Sequence, residues 1–230
     1  MGRNLKMKNV KTLCFIFLSA FIVFLNQILF SQDNSEEFLK LIHQGELKEV
    51  ENYIDMGVNV NLIINNRNTP LMYAIWSDHF DIVKLLISKG ADVTLKTEKG
   101  GTALNAAASM GNQNISNYLL DKGADIEARD NEGKTPLMNA VYNKKKDLVQ
   151  FFIGKGADVN AKEPNGWTAL MFATMLGETE SVQILIEAGA DVNSKTKDGE
   201  AALQRAEKLD KANLVDVKQI IEMLKKSGAE

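Results

Sequence analysis

The feature that most constrains this chain is a recurrence with a step of 33 residues. Thr69, Thr102, Thr135 and Thr168 stand 33 apart, and so do the pairs Gly90-Ala91, Gly123-Ala124, Gly156-Ala157 and Gly189-Ala190, with Gly57-Val58 one step earlier. Two marker sets in one phase define a repeating unit, and the stretch from Gly133 to Asn160 shows what it contains. Thr135 and Pro136 start a helix, because a threonine oxygen accepts from unpaired amides and proline lacks the amide hydrogen that would go without a partner there. Leu137, Ala140 and Val141 share one face of it, and Leu148, Val149, Phe151 and Phe152 recur at helical spacing in a second helix. Gly156 closes that helix in a left-handed turn, and Asp158, Val159 and Asn160 lead out. One such unit cannot bury its own apolar face. The pattern therefore predicts an all-α repeat solenoid whose neighbouring units complete one another's cores.

The segments TPLMYA at Thr69, GTALNAA at Gly101, KTPLMNA at Lys134 and WTALMFA at Trp167, each closed by a GADV- or GADI-type turn, resemble the ankyrin-repeat family. The resemblance covers essentially the whole chain after about residue 33 and implies helix-turn-helix units with a β-hairpin-like turn. Units are expected near 33–65, 66–98, 99–131, 132–164, 165–197 and 198–230. The first, with Glu36, Glu37, Lys40, Glu49 and Glu51 outside, is expected to be an N-terminal cap, and the last a C-terminal cap. In the last unit Ala206 and Gly228 are 22 apart, whereas the equivalent Ala74 and Gly90 are 16 apart, so six extra residues are expected as a longer connection around 209–215. The histidine that often follows the leucine in this family is replaced by Met72, Asn105, Met138, Met171 and Gln204, so its hydrogen bonds between units are expected to be missing.

Residues 1–31 lie outside the recurrence. Arg3, Lys6, Lys8 and Lys11 precede the apolar run Thr12 to Leu25, which is the pattern of a signal peptide, with Ser31 a candidate cleavage position before Gln32. An exported protein, periplasmic or secreted, is the expectation. The alternative is an uncleaved membrane anchor, since Thr12 to Phe30 is nearly long enough to span a bilayer. The one cysteine, Cys14, falls in this segment, so a cleaved chain has no thiol chemistry. Cleavage removes four of the 27 basic residues and none of the 30 acidic ones, leaving a net charge near −7 that does not favour nucleic acid.

Catalytic and metal chemistry find little footing. The two histidines, His43 and His79, sit at non-equivalent places in adjacent units, and zinc takes three or four such ligands. Gly100, Gly133, Gly166 and Gly199 recur at the unit step and read as hairpin tips, not as a phosphate-cradling loop. Lys144, Lys145 and Lys146 read as a solvated connection, and Asn114 in the triplet Asn-Ile-Ser as a chance glycosylation match. No enzyme activity, cofactor or small-molecule substrate is expected, and the chain is expected to be a monomer.

The resemblance implies protein binding on a concave surface made of hairpin tips and the exposed ends of first helices. Carried over residue by residue, that surface takes Asn66, Asn68 and Trp76 in the second unit and Met110 in the third. Glu132, Lys134 and Tyr142 follow in the fourth, and Trp167, Met175 and Leu176 in the fifth. Tryptophan, tyrosine and methionine are enriched at interface centres. Trp76, Met110, Tyr142, Trp167, Met175 and Leu176 are therefore expected to be exposed anchors for a partner protein, the alternative being an accessory or inhibitory subunit of an envelope enzyme.

Overall fold

A computed structural model describes residues 32–63, 68–98 and 100–230. The expected leader, 1–31, lies outside the described residues. Twelve helices and no strand occur among the described residues, two helices per unit. They are α1 Gln32–Gln44, α2 Leu47–Asp55, α3 Pro70–Trp76, α4 Phe80–Ser88, α5 Ala103–Met110 and α6 Gln113–Asp121 in the first half. The second half holds α7 Pro136–Tyr142, α8 Lys146–Gly154, α9 Ala169–Met175, α10 Thr179–Glu187, α11 Ala202–Lys211 and α12 Lys218–Lys226.

The threonines start the first helices as their chemistry dictates. Thr69, Thr102, Thr135 and Thr168 each accept, through the side-chain oxygen, a hydrogen bond of 3.3 Å from the amide three residues on. In the last unit Ala201 has no such oxygen, and Gln204 Oε1 instead accepts from the Ala201 amide at 2.7 Å. First helices pack in one row, α1 against α3, then α5, α7, α9 and α11, and second helices form another behind it. The first-helix row is the more closely packed, with the small Ala74, Ala107, Ala140, Ala173 and Ala206 all fully buried in it. Behind them Ile82, Ile115, Phe152, Leu185 and Ile220 close one continuous core from Phe38 to Leu224. Truncating the fully buried Phe152 to alanine is expected to cost about 3–5 kcal/mol.

Three sets of polar contacts join the units. The residue opening each hairpin bonds across it, as Asp130 and Glu163 do with Lys134 and Trp167: amide to carbonyl at 3.1 and 3.0 Å. Their carboxylates accept the tip amides in turn, Asp130 Oδ1 from Glu132 and Lys134, Glu163 Oε1 from Asn165 and Trp167. A second set clips units one, three, four and five to the next. Asn61, Asn160 and Asn193 accept from the amides of Asp92, Asp191 and Glu230 and donate to the carbonyls of Gly90, Gly189 and Gly228. Glu127 holds the equivalent place in the third unit and only accepts, from the Asp158 amide at 2.8 Å.

The third set corrects an expectation. Hydrogen bonds between units at the residue after the leucine are not all missing, because Asn105 Nδ2 donates to the Lys134 carbonyl of the fourth unit at 3.5 Å, besides the Ala128 carbonyl of its own unit at 3.1 Å, while its Oδ1 accepts from Thr102. Met72, Met138 and Met171 at the same place are buried and contribute packing alone.

The extra residues of the last unit are also not confined to the connection. α11 has 10 residues against 7 in α3, α7 and α9, so half of the insertion extends the helix by almost a turn. The rest lengthens the link from Ala212 to Val217, which folds back so that Val215 lies against Gly177 and Val217 is fully buried.

Candidate partner-binding surface

Four consecutive first helices end on a bulky apolar residue: Trp76 for α3, Met110 for α5, Tyr142 for α7 and Met175 for α9. The packing of first helix on first helix sets these ends side by side across the array. Trp76, Met110 and Tyr142 are 39%, 46% and 45% exposed. The exposed large apolar residues among the described residues also include Met56, Ile63 and Leu214, but those are scattered. Scattered apolar residues need no explanation, whereas three at the ends of adjacent first helices form a patch, Trp76 and Tyr142 in register at the unit step and Met110 one residue past the equivalent Ser109.

The aromatic members of the row are held in place by other rings. Trp76 stands edge-on to Tyr73, one turn earlier in α3, with centroids 5.9 Å apart. Tyr142 stands edge-on to Phe172 of α9 at 6.0 Å. Phe172 in turn lies 5.2 Å from Trp167, which carries the Arg205 guanidinium over its face at 5.0 Å. At the other end Lys134 Nζ sits over the Tyr142 ring at 4.0 Å and pairs with Glu132. The result is one chain of contacts through units four to six, from Glu132 through Lys134, Tyr142, Phe172, Trp167 and Arg205 to Glu200, which also pairs with Lys208. Cations desolvated over ring faces gain about 1–2 kcal/mol.

This arrangement corrects several expectations. Trp167, Met175 and Leu176 are half-buried, not exposed: Trp167 spends one face on Phe172 and Arg205, and Met175 packs against the core. Only 12% of the Lys134 side chain is accessible, because its stem and charge are occupied by Tyr142 and Glu132, so it is not held out to solvent. Asn68 is half-buried beside the cap of α3, and Asn66 lies outside the described residues. Tyr142 and Trp167 do meet, through Phe172.

Phe172, Tyr73 and Arg205 were not singled out by the sequence reading. One signal identifies them: each lies one helical turn before the helix-end position, and Tyr73, Ala106, Asn139, Phe172 and Arg205 recur at the unit step. The two histidines also meet, though not as a metal site. His79 Nε2 donates to the His43 carbonyl at 3.1 Å and His43 Nδ1 lies 2.8 Å from Ser77 Oγ, joining the first two units. Among the described residues no three His, Cys, Asp or Glu side chains converge to hold a metal, and no helix is long and apolar enough to cross a membrane.

Comparison with known proteins agrees with this geometry. The family model described as "Ankyrin repeats (3 copies)" matches residues 27–97, 94–163 and 137–230. Among solved structures the chain is similar to the ankyrin repeat domain of Bcl-3, described as a unique member of the IkappaB protein family. The two are 29% identical, the match covers 84% of this chain and 86% of that one, and the TM-score is 0.73. No curated protein matches the chain. With a family model spanning its length and a solved repeat domain of like shape, the chain belongs to the ankyrin-repeat family.

Proposed function

We propose that this protein works without catalysis, by presenting the ends of its first helices to a partner protein, with the row Trp76, Met110 and Tyr142 at the centre of the contact. Ankyrin repeats generally mediate protein–protein interaction. The observation that carries the assignment to this face is that three successive first helices each end on an exposed, bulky apolar residue. Because Trp76 and Tyr142 are already fixed by Tyr73 and Phe172, binding has little side-chain freedom to remove.

The test is affinity capture from the cell that makes the protein, comparing the native chain with a Trp76→Ala, Met110→Ala, Tyr142→Ala variant of unchanged circular dichroism. Loss of the aromatic anchors is expected to weaken capture by about 1–4 kcal/mol each. A captured set identical for the two proteins would overturn the assignment. Export is part of the same proposal, resting on the basic and apolar pattern of residues 1–31. N-terminal sequencing of the protein recovered from cells reads it directly: a start at Gln32 supports release, and a start at Met1 supports retention as an anchor.

A further inference from the structure

We propose that the hairpin arms carry a second contact surface, a basic row of Lys96, Arg129, Lys162 and Lys195 that takes an acidic polypeptide segment; it uses none of the helix-end residues and stands or falls without them. The four residues follow one another at the step of 33, one in each of units two to five, and all are exposed. Hydrogen bonds make the row contiguous. Arg129 Nη1 donates to the Lys162 carbonyl at 2.7 Å as well as to the Gly133 carbonyl at 2.9 Å, and Lys162 Nζ donates to the Lys195 carbonyl at 3.4 Å. Each bond sets a cation against the next member of the row. Nε and Nη2 of Arg129 have no partner among the described residues, and a guanidinium held in this way offers a fork that fits a carboxylate.

No carboxylate of the chain satisfies these cations. None of the four forms an ion pair among the described residues, and the acids beside them in sequence are spent inside the turns. Asp130 accepts from the amides of Glu132 and Lys134, and Glu163 from those of Asn165 and Trp167, while Thr97 and Thr196 hold the same place in the other two units. Arg129 and Lys162 act on Glu127 and Asp191 only from beyond ion-pair distance, and both of those carboxylates already accept backbone amides. Another basic series at the same step gives the contrast: Lys89 pairs with Asp55 and Glu51, Lys122 lies over the Tyr118 ring and Lys155 over the Phe151 ring. Unpaired positive charge at four successive positions, in a chain of net charge −3, selects a partner of the opposite sign. A second row decides its class. Asp92, Asp125, Asp158 and Asp191, also exposed, stand four residues before the four cations. A nucleic acid duplex, with one charge per roughly 1.7 Å of its axis, would meet both rows, whereas a single acidic strand can follow the cations alone.

The test measures the fluorescence anisotropy of a labelled peptide of about 12 residues, alternating glutamate with serine and long enough when extended to cover the row, with the purified chain in low and high salt. A labelled single-stranded oligodeoxynucleotide of equal charge is measured alongside. One variant carries Lys96→Gln, Arg129→Gln, Lys162→Gln and Lys195→Gln; a second keeps Arg129, in case its bond between units is needed for folding. A control with Lys48→Gln, Lys211→Gln, Lys218→Gln and Lys226→Gln removes the same charge from exposed lysines elsewhere. Peptide binding is expected to weaken with salt, to fall at least about tenfold in both row variants and to survive in the control, with the oligonucleotide bound more weakly. No peptide binding, or an equal loss in the control, overturns the row as a site. An oligonucleotide bound more tightly, with the same dependence on the row, overturns the polypeptide. Neither result bears on Trp76, Met110 and Tyr142, which all these proteins retain.

Discussion

Replacing Glu127 by asparagine probes how one unit is clipped to the next. In three other units an asparagine makes two bonds there, accepting an amide and donating to the carbonyl of the glycine that ends a second helix. Glu127 accepts the Asp158 amide but has no hydrogen to give the Gly156 carbonyl. Burial pushes its carboxyl up from its ordinary value, and the Asp158 amide only partly opposes this. Glu127→Asn is therefore expected to add one hydrogen bond between units, about 0.5–1.5 kcal/mol. It also removes a partly desolvated charge, a smaller gain because the side chain is half-exposed. The sum is about 1–2 kcal/mol. For a chain of this size each kcal/mol moves the melting temperature by roughly 2–4 °C.

The pH dependence makes the reasoning refutable. An acid whose folded-state pKa is raised binds its proton more tightly when folded, so the native state carries a penalty once pH exceeds that pKa. The penalty fades as pH falls through the folded pKa and is gone below the unfolded one. Urea unfolding of both proteins, at neutral pH and in the lower carboxylate range, should show the variant's advantage largest at neutral pH and reduced, to the hydrogen-bond part alone, in acid. A destabilised variant, or an advantage that grows on acidification, refutes the account.

Lys144 takes the left-handed backbone at φ 57°, where Gly111 and Gly177 sit in neighbouring units, and its ion pair with the half-buried Glu178 is exposed on the lysine side. Lys144→Gly should raise the urea midpoint, by about 0.4–1 kcal/mol of stability. Gly156 and Gly166 have nearly the same φ, 88° and 87°, but a Cβ on Gly156 meets nothing whereas one on Gly166 comes within 3.0 Å of the Thr196 backbone. Gly166→Ala should therefore cost more than Gly156→Ala by about 1 kcal/mol or more in paired unfolding measurements. The Thr94 hydroxyl, with its amide, holds the Asp92 carboxyl below its ordinary value. Such a group adds stability above its unfolded pKa that is lost as pH falls through the folded one. Thr94→Val should raise the Asp92 pKa in a carbon-detected NMR titration and start the acid loss at higher pH.

The fold was legible where one residue type has one mechanical use. A threonine before a proline or alanine, and a glycine after an apolar helix, state a start and a stop whatever surrounds them, and the unit step multiplies the signal. It was less legible where tertiary contacts decide. Nothing local marks Asp78 and Lys144 as left-handed, since neither is glycine, and only their register with Gly45, Gly111 and Gly177 places them. The last unit's insertion divides between helix and link because a longer α11 carries Leu209 onto the core while Val217 must still reach it. The candidate surface was half legible for a related reason. Sequence position places Lys134, Trp167 and Met175 on the candidate face, but their exposure depends on what neighbouring units put against them, here Tyr142, Phe172 and Arg205.

The row of helix ends separates fold requirement from function more sharply than the hairpin tips do. At the tips the same positions serve both purposes: Asp130 and Glu163 are acidic because the turn needs acceptors, and Trp167 is committed to a ring and a guanidinium. A helix end facing solvent has no such demand. The two cap units show this within the same chain, since their first helices end on Gln44 and Lys211 and still pack on their neighbours. If closing a first helix required a bulky apolar residue, all six would have one. Only the four internal units do; the core half covers Met175, but Trp76, Met110 and Tyr142 are left in water, where an apolar side chain gains nothing until another surface covers it. The change at the caps is what the proposed contact surface of limited length would entail, with a footprint on units two to four.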